Sequence, residues 1–245
     1  MIYCGCKRST ETPAAKPSPK KPIAKLYAAG QSVISGHVFF TGVAPAPRVY
    51  DVNLDNACGA GDDERRTTEE VVVSRDGGLQ NVFVYISKGI DGFAFDAPSA
   101  PVVLDQHGCR FAPHVLGIQA GQPLRIVNSD ATLHNVHAQA TVNEAFNLGM
   151  TVKMREVQRV FDAPEIMIPI RCNVHPWMGA YIGVGDHPFY SVSDSAGFFS
   201  LRNLPAGDFT IEAWHEKFGR QQQSLTIAEA ETRILDFTFH AKEEQ

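Results

Sequence analysis

The short segment Cys172-Asn-Val-His-Pro-Trp-Met178 carries a thiol, an imidazole and a thioether within seven residues. A further histidine, His134, stands about forty residues upstream. A tight loop can fold His175 and Met178 back towards Cys172 at the end of one strand. His134 can join them only from a neighbouring strand. The pattern therefore predicts two strands side by side with a metal site where they end.

The donor set favours copper. A thiolate and two imidazoles in a trigonal plane, with a distant thioether on the axis, suit a type 1 site, in which the metal changes oxidation state with little rearrangement. The sequence predicts one copper ion with His134, Cys172 and His175 in the plane and Met178 on the axis.

The segment His134-Asn-Val-His and the Cys-x2-His-Pro-x-Met loop resemble the cupredoxins, the type 1 blue copper proteins. The loop is most similar to that of amicyanin, and less so to the longer loop of plastocyanin. The resemblance implies a Greek-key β-sandwich and one-electron transfer outside the cytoplasm. It also implies that Asn135 hydrogen-bonds between strands near Cys172, and that Asn135 and Pro176 shape the site without binding metal.

The same resemblance implies a docking surface. In cupredoxins one edge of the loop histidine is exposed in an apolar patch where electrons pass, and His175 holds that position. Trp177 would offer a flat apolar surface beside it, suited to a small, brief contact. The alternative is that Trp177 packs between domains.

Other metal sites fit the residues less well. A binuclear copper A centre needs a second cysteine four positions after the first, where this chain has Pro176. Arg171 and Asn173 flank Cys172, so the flanking histidines typical of copper shared between sites are absent. Zinc accepts one cysteine and two histidines but makes no use of a thioether, so zinc remains only a weak alternative.

Composition indicates a β-rich protein with an acidic body. Of 245 residues, 20 are glycine and 15 proline, as expected for short strands joined by many turns. Residues 1–25 hold six basic residues against one acid, so they carry +5 of a total of −5, which leaves −10 for the rest. Such a body argues against nucleic acid as a partner. No apolar run is long enough for a membrane-spanning helix.

The N-terminal segment resembles a tether. Four prolines alternate with Lys, Ala and Ser over residues 13–22, a composition typical of an extended linker. Cys6, preceded by Gly5 and followed by a polar stretch, resembles the start of a mature bacterial lipoprotein. We expect residues 1–30 to be a disordered tether, with lipidation at Cys6. The alternative is an N-terminus with two free thiols.

Two further cysteines suggest a disulfide. With Cys172 assigned to copper and Cys4 and Cys6 in the tail, Cys58 and Cys109 remain, each in a turn-rich polar stretch. Sequence alone does not show that they meet. A bridge between them would require an oxidising compartment such as the periplasm.

The segments that flank the copper motifs suggest a second domain. A strand and turn at 33–47, an apolar strand at 81–86, an Asp-x-x-Gly-x-Phe hairpin from Asp194 and a Leu-Pro-x-Gly turn resemble the carboxypeptidase-regulatory, transthyretin-like β-sandwich. We therefore predict an all-β chain in which a cupredoxin domain, 98–186, interrupts a second sandwich formed by 31–97 and 187–241. The alternative is one enlarged cupredoxin.

These observations predict a periplasmic or otherwise extracytoplasmic electron carrier, anchored by lipid or held in a larger assembly. Its expected partner is a c-type cytochrome or a membrane redox complex. No motif for hydrolysis or phosphoryl transfer stands out, so the chain is not expected to be an enzyme. The alternative is a copper-binding scaffold or a copper carrier without redox turnover.

Overall fold

The structure is a computed structural model that describes residues 25–26, 30–50, 58, 67–152, 154 and 156–241. The predicted all-β class is confirmed: apart from the single helical residue Cys58, regular structure in the described residues consists of strands. None of the described residues forms a helix long and apolar enough to cross a lipid bilayer. Cys6 and most of the predicted tether lie outside the described residues. At the end of the predicted tether, Lys25–Leu26 pair in parallel with Phe93–Ala94.

The strands, in chain order, are β1 Lys25–Leu26, β2 Ser32–Thr41, β3 Phe83–Lys88, β4 Phe93–Ala94, β5 Val102–His107, β6 Arg110–Ala112, β7 Val115–Gln119, β8 Pro123–Asn128, β9 His134–Ala138, β10 Phe146–Met150, β11 Glu156–Val160, β12 Glu165–Arg171, β13 Gly179–Gly185, β14 Tyr190–Val192, β15 Phe198–Leu204, β16 Gly207–His215, β17 Gly219–Ile227, β18 Thr232–Ile234 and β19 Phe237–His240.

The first and last strands of the chain build an outer sandwich. One sheet has the order β14-β3-β16-β17, and the other has β15-β2-β18 with β19 also paired to β2. Alternation of apolar and polar residues explains the two layers, because successive side chains of a strand point to opposite faces. In β16, Phe209, Ile211 and Ala213 are buried in the core of this sandwich, and Phe237 and Phe239 of β19 join them.

The strands between them build an inner sandwich. Its five-stranded sheet has the order β10-β9-β12-β13-β7, and its four-stranded sheet has β11-β8-β5-β6. Both contain one parallel pair, β7 with β13 and β5 with β8. This sandwich has a separate core, which includes Leu104, Ile126, Val136 and Ile170.

The arrangement is therefore an insertion of one sandwich into another. The boundaries predicted at 97/98 and 186/187 fall in the connections between β4 and β5 and between β13 and β14. The predicted turn at Asp194 is formed: its carboxylate accepts N–H bonds from Ala196 and Phe198. The likeness of the outer sandwich to the transthyretin-like family remains a prediction.

An aromatic cluster joins the two sandwiches. Phe83 and Tyr85 of β3 pack with Val115 of β7 and with Met167 of β12. Gly117 and Gly183 allow this close approach. A Cβ atom at Gly183 would lie 2.6 Å from the Phe83 ring, and one at Gly117 would lie 2.3 Å from Tyr190. The contact between the sandwiches thus depends on glycines, which have no side chain, at the positions where the rings of Phe83 and Tyr190 pack.

Candidate metal centre

Two adjacent strands bring His134 and Cys172 together. His134 is the first residue of β9, and Cys172 follows the last residue of β12. The two strands are antiparallel, with Ile170 opposite Ala138. Both side chains are buried in the inner sandwich, with His134 at 0% and Cys172 at 3% exposure. The predicted neighbouring-strand arrangement is what the structure shows.

The loop from Cys172 to Met178 folds back on itself. The N–H of Cys172 donates to the carbonyl of Met178 over 3.2 Å, and the N–H of Met178 donates to the carbonyl of His175 over 2.9 Å. His175 and Met178 are each 1% exposed. The loop therefore returns both side chains to the interior beside the cysteine.

Three donor atoms converge. His134 Nδ1 and His175 Nδ1 are 2.9 Å apart, and Cys172 Sγ lies 3.9 Å from His175 Nδ1. The ligand atoms of these three residues all lie within 4.8 Å of one another. Two other groups of such residues are found in the described part of the chain, but each relies on sulfur atoms of the Cys58–Cys109 disulfide. The set His134, Cys172 and His175 thus offers a free thiol and two imidazoles, which fits a copper or zinc ion.

Backbone amides favour the thiolate form of Cys172. The N–H groups of Asn135 and His175 point at Sγ from 3.5 and 3.4 Å. Burial raises the pKa of this thiol, but the hydrogen bond with His134 and the backbone N–H groups outweigh burial and lower the pKa. Because the thiolate is the form that binds metal, the fold prepares Cys172 for ligation.

Asp130 is a functional residue that the sequence analysis missed. Its Oδ2 lies 2.8 Å from His134 Nε2, and its carboxylate also accepts the N–H groups of Gly108 and Cys109. A carboxylate requires a donor, so His134 carries hydrogen on Nε2 and turns Nδ1 to the centre. The only available signal was an acid four residues before the histidine.

Asp130 and His134 each stabilise the charged form of the other. Burial alone would lower the pKa of His134, but the hydrogen bonds with Asp130 and Cys172 raise it to about 9. Burial raises the pKa of Asp130, and the bonds from His134, Cys109 and Gly108 reverse that and lower it. A metal that binds at Nδ1 must therefore displace a proton from the site.

Asn135 ties the two strands together beside the ligands. Its Oδ1 accepts the N–H of Asn173, and its Nδ2 donates to Asn147. Neither bond leaves an amide atom directed at the centre as a ligand. Pro176 is exposed in the loop, and His137 turns away towards Asn173.

The expected exposed edge of His175 is not found. Cys58 and Cys109 form a disulfide with a Cα–Cα distance of 5.5 Å, and Cys58 Sγ lies 3.6 Å from His175 Nε2. His175 is buried because this bridge covers the outer edge of its ring. The loop motif gives no sign of this cover, because Cys58 is more than one hundred residues away from His175 in sequence.

Trp177 is partly exposed and lies between the centre and the surface. Its ring centroid is 5.1 Å from that of His175 and 5.7 Å from that of Tyr50, on which it stacks. Its indole N–H donates to the Cys109 carbonyl over 3.1 Å. Trp177 thus contacts Tyr50 of the outer segment while its ring remains partly exposed. Its role in partner docking stays a prediction.

A cavity of about 420 Å³ adjoins this side of the loop. Residues of both sandwiches line it, among them Trp177, Tyr50, Arg110 and Glu216. His114 and Glu216 also line the cavity with side chains that are largely buried, and His114 hydrogen-bonds both Glu216 and the carbonyl of Gly179. The charged groups of the cavity are largely paired with one another, as in the ion pair of Arg48 with Glu70.

Comparisons with known proteins returned structural similarities alone. No family model and no curated protein matches the chain. A copper-containing nitrite reductase from Thermus scotoductus SA-01 is 18% identical with a TM-score of 0.33, over 60% of this chain and 28% of that protein. A proline-to-glycine mutant of amicyanin is 20% identical with a TM-score of 0.31, over 41% of this chain and 97% of amicyanin.

A purple cupredoxin from Nitrosopumilus maritimus is 19% identical with a TM-score of 0.29, over 35% of this chain and 99% of that protein. These neighbours are copper proteins or cupredoxins, and one of them is an enzyme. At such scores the similarities do not assign an activity to this chain. A metal centre in this chain is supported by its own buried side chains, those of His134, Cys172 and His175.

Proposed function

We propose that this chain is an extracytoplasmic blue-copper protein that carries single electrons. The observation that supports this proposal is the buried convergence of one thiol and two imidazole nitrogens within 4.8 Å. His134, Cys172 and His175 would hold the ion, and Met178 would be a fourth ligand. Copper bound there would supply a one-electron couple between Cu(II) and Cu(I).

The protein's own contribution is to fix the ligands before the metal arrives. Asp130 holds Nε2 of His134, backbone N–H groups face the sulfur of Cys172, and the loop hydrogen bonds place His175. A site that is fixed in this way changes little between oxidation states. That property suits electron transfer and requires no bound substrate, so we propose a carrier rather than an enzyme.

Burial of the ligands argues against the copper-carrier alternative. His134, Cys172, His175 and Met178 are each no more than 3% exposed, so release would require the loop to open. The scaffold alternative is compatible with electron transfer, since the outer sandwich is large enough to dock on another protein.

We also propose a cellular compartment and a redox partner for this protein. The Cys58–Cys109 disulfide supports an oxidising compartment such as the periplasm. We propose a c-type cytochrome or a membrane redox complex as partner, and lipidation at Cys6 as the anchor. Mass spectrometry of the native protein tests the anchor: a diacylglyceryl group on Cys6 supports it, and its absence refutes it.

The role of Met178 as a copper ligand is tested by voltammetry of the copper-loaded protein. Replacing Met178 with Leu removes the fourth donor, and Cu(I) accepts three ligands more readily than Cu(II), so the reduction potential should rise while copper remains bound. Met154→Leu, at an exposed position outside the site, is the matched control. A potential that is the same in Met178→Leu and the unaltered protein would remove Met178 from the ligand set. A protein with no reversible one-electron wave would refute electron transfer and favour the scaffold.

A further inference from the structure

The four proposed ligands have no exposed edge through which an electron could pass directly. His134 is 0%, His175 and Met178 are 1%, and Cys172 is 3% exposed. The outer nitrogen of His175, which would otherwise face solvent, lies 3.6 Å from Cys58 Sγ. Any contact with a redox partner therefore depends on groups around the ligands.

Among the described rings in contact with His175, Trp177 alone reaches the surface. The other ring is that of His134, which is itself buried. Trp177 is held in a fixed orientation by its bond to the Cys109 carbonyl. Its ring lies 5.1 Å from His175 and stacks on Tyr50 at 5.7 Å with an interplanar angle of 14°. Tyr50 is itself partly exposed, and Val49 beside it is 74% exposed.

We propose that electrons enter and leave the centre through the stacked pair Trp177 and Tyr50, and that the disulfide closes the route through the edge of His175. This inference rests on the proposed function. Tyr50 touches none of the four ligands, so it acts on the centre through Trp177. The partner then meets the molecule at the mouth of the cavity beside Tyr50, where the inner and outer sandwiches adjoin.

The closed edge is tested on the metal-free protein with diethyl pyrocarbonate, which acylates accessible imidazole nitrogens. We expect His175 to remain unmodified while the disulfide is intact. His107, whose side chain is 70% exposed, serves as the internal positive control. Modification of His175 at a rate close to that of His107 would overturn the inference, because the edge would then be open.

The path is tested by stopped-flow oxidation of the reduced, copper-loaded protein with hexacyanoferrate(III). One electron leaves Cu(I), which becomes Cu(II), and the reagent becomes hexacyanoferrate(II). We expect Tyr50→Leu to slow the reaction several-fold and Tyr50→Phe to leave it unchanged, since the ring and not the hydroxyl forms the path. Phe198→Leu, at an exposed ring of the outer sandwich, is the control and should leave the rate unchanged.

Two further readouts separate the path from a structural effect. The reduction potential and the visible spectrum should be the same in Tyr50→Leu and in the unaltered protein. An unchanged or faster rate in Tyr50→Leu, with a normal spectrum, would overturn the path alone. A protein that shows no thiolate-to-copper band at all would overturn the proposed function, and the path with it.

Discussion

At the scale of single residues, Asp130 decides which nitrogen of His134 faces the metal centre. The carboxylate lies 2.8 Å from Nε2 and is itself anchored by the backbone of Gly108 and Cys109. Because Cys109 belongs to the disulfide that covers His175, one short segment supports both histidines. Groups that orient a metal-binding histidine in this way commonly affect metal affinity.

We expect Asp130→Asn to lower copper affinity by roughly 10–100-fold, since an amide does not favour hydrogen on Nε2 as a carboxylate does. The measurement is competition against a chelator of known affinity. Asp105→Asn is the matched control, because Asp105 is on the neighbouring strand and bonds Ser129 without touching His134. Equal affinities in Asp130→Asn and the unaltered protein would show that His134 needs no such support.

Proton release gives a second residue-scale prediction. The pKa of His134 in the metal-free protein is raised to about 9, so this imidazole is protonated at pH 7 and must lose its proton to bind metal. We expect copper binding to release protons at pH 7, measured in weakly buffered solution, and apparent affinity to fall as the pH falls. Binding without proton release would contradict the arrangement of Asp130, His134 and Cys172.

At the scale of elements, much of the fold could be predicted from the sequence because it depends on local patterns. Alternation in Phe209, Ile211 and Ala213 predicts a strand, and the spacing of Cys172, His175 and Met178 predicts a folded loop. Asp130 and the cover over His175 could not be predicted in this way. They depend on which distant segments meet. The cysteine count suggests the pair Cys58 and Cys109, but no pattern shows that this bridge lies against His175 or that Asp130 bonds His134.

The end of β16 is predicted to be sensitive to acid. His215 is 1% exposed and packs against Phe218 and Phe239. Burial lowers its pKa to about 4, below the usual value of 6.5, so the folded protein resists protonation there. Its contribution to stability is complete above about pH 6.5 and is lost as the pH falls towards 4, at up to about 1.4 kcal/mol per pH unit.

Chemical denaturation across this range tests the effect. His215→Phe keeps an aromatic ring in the core but does not titrate, so the free energy of unfolding should fall less steeply between pH 6.5 and 4 than in the unaltered protein. Phe198→Leu, which replaces an exposed ring and removes no titratable group, is the control and should keep the original slope. Parallel slopes in His215→Phe and the unaltered protein would show that other groups cause the acid sensitivity.

At the scale of the whole molecule, the aromatic cluster makes one unit of the two sandwiches. Phe83 is 0% exposed although it belongs to the outer sandwich, because it is buried against Gly183 of the inner one. The metal centre lies near the same boundary, since Tyr50 of the outer segment stacks on Trp177. An insertion of this kind therefore connects the stability of the two parts.

We expect Phe83→Ala to lower the free energy of unfolding by about 3–5 kcal/mol, the usual cost of emptying a buried aromatic site. Phe198→Ala removes a ring that is 37% exposed and should cost much less. Denaturation followed by Trp214 fluorescence, in a Trp177→Phe background, reports on the contact directly because Trp214 packs in the cluster. Similar losses in the two variants would contradict a boundary that depends on Phe83.

We propose above all that His134, Cys172, His175 and Met178 form a type 1 copper site. The first test is titration of the purified protein with Cu(II), followed by optical and EPR spectra beside Cys172→Ser. We expect a strong visible thiolate-to-copper band and narrow copper hyperfine splitting, both lost in the variant. A colourless protein that prefers zinc, or an ordinary tetragonal copper spectrum, would contradict it.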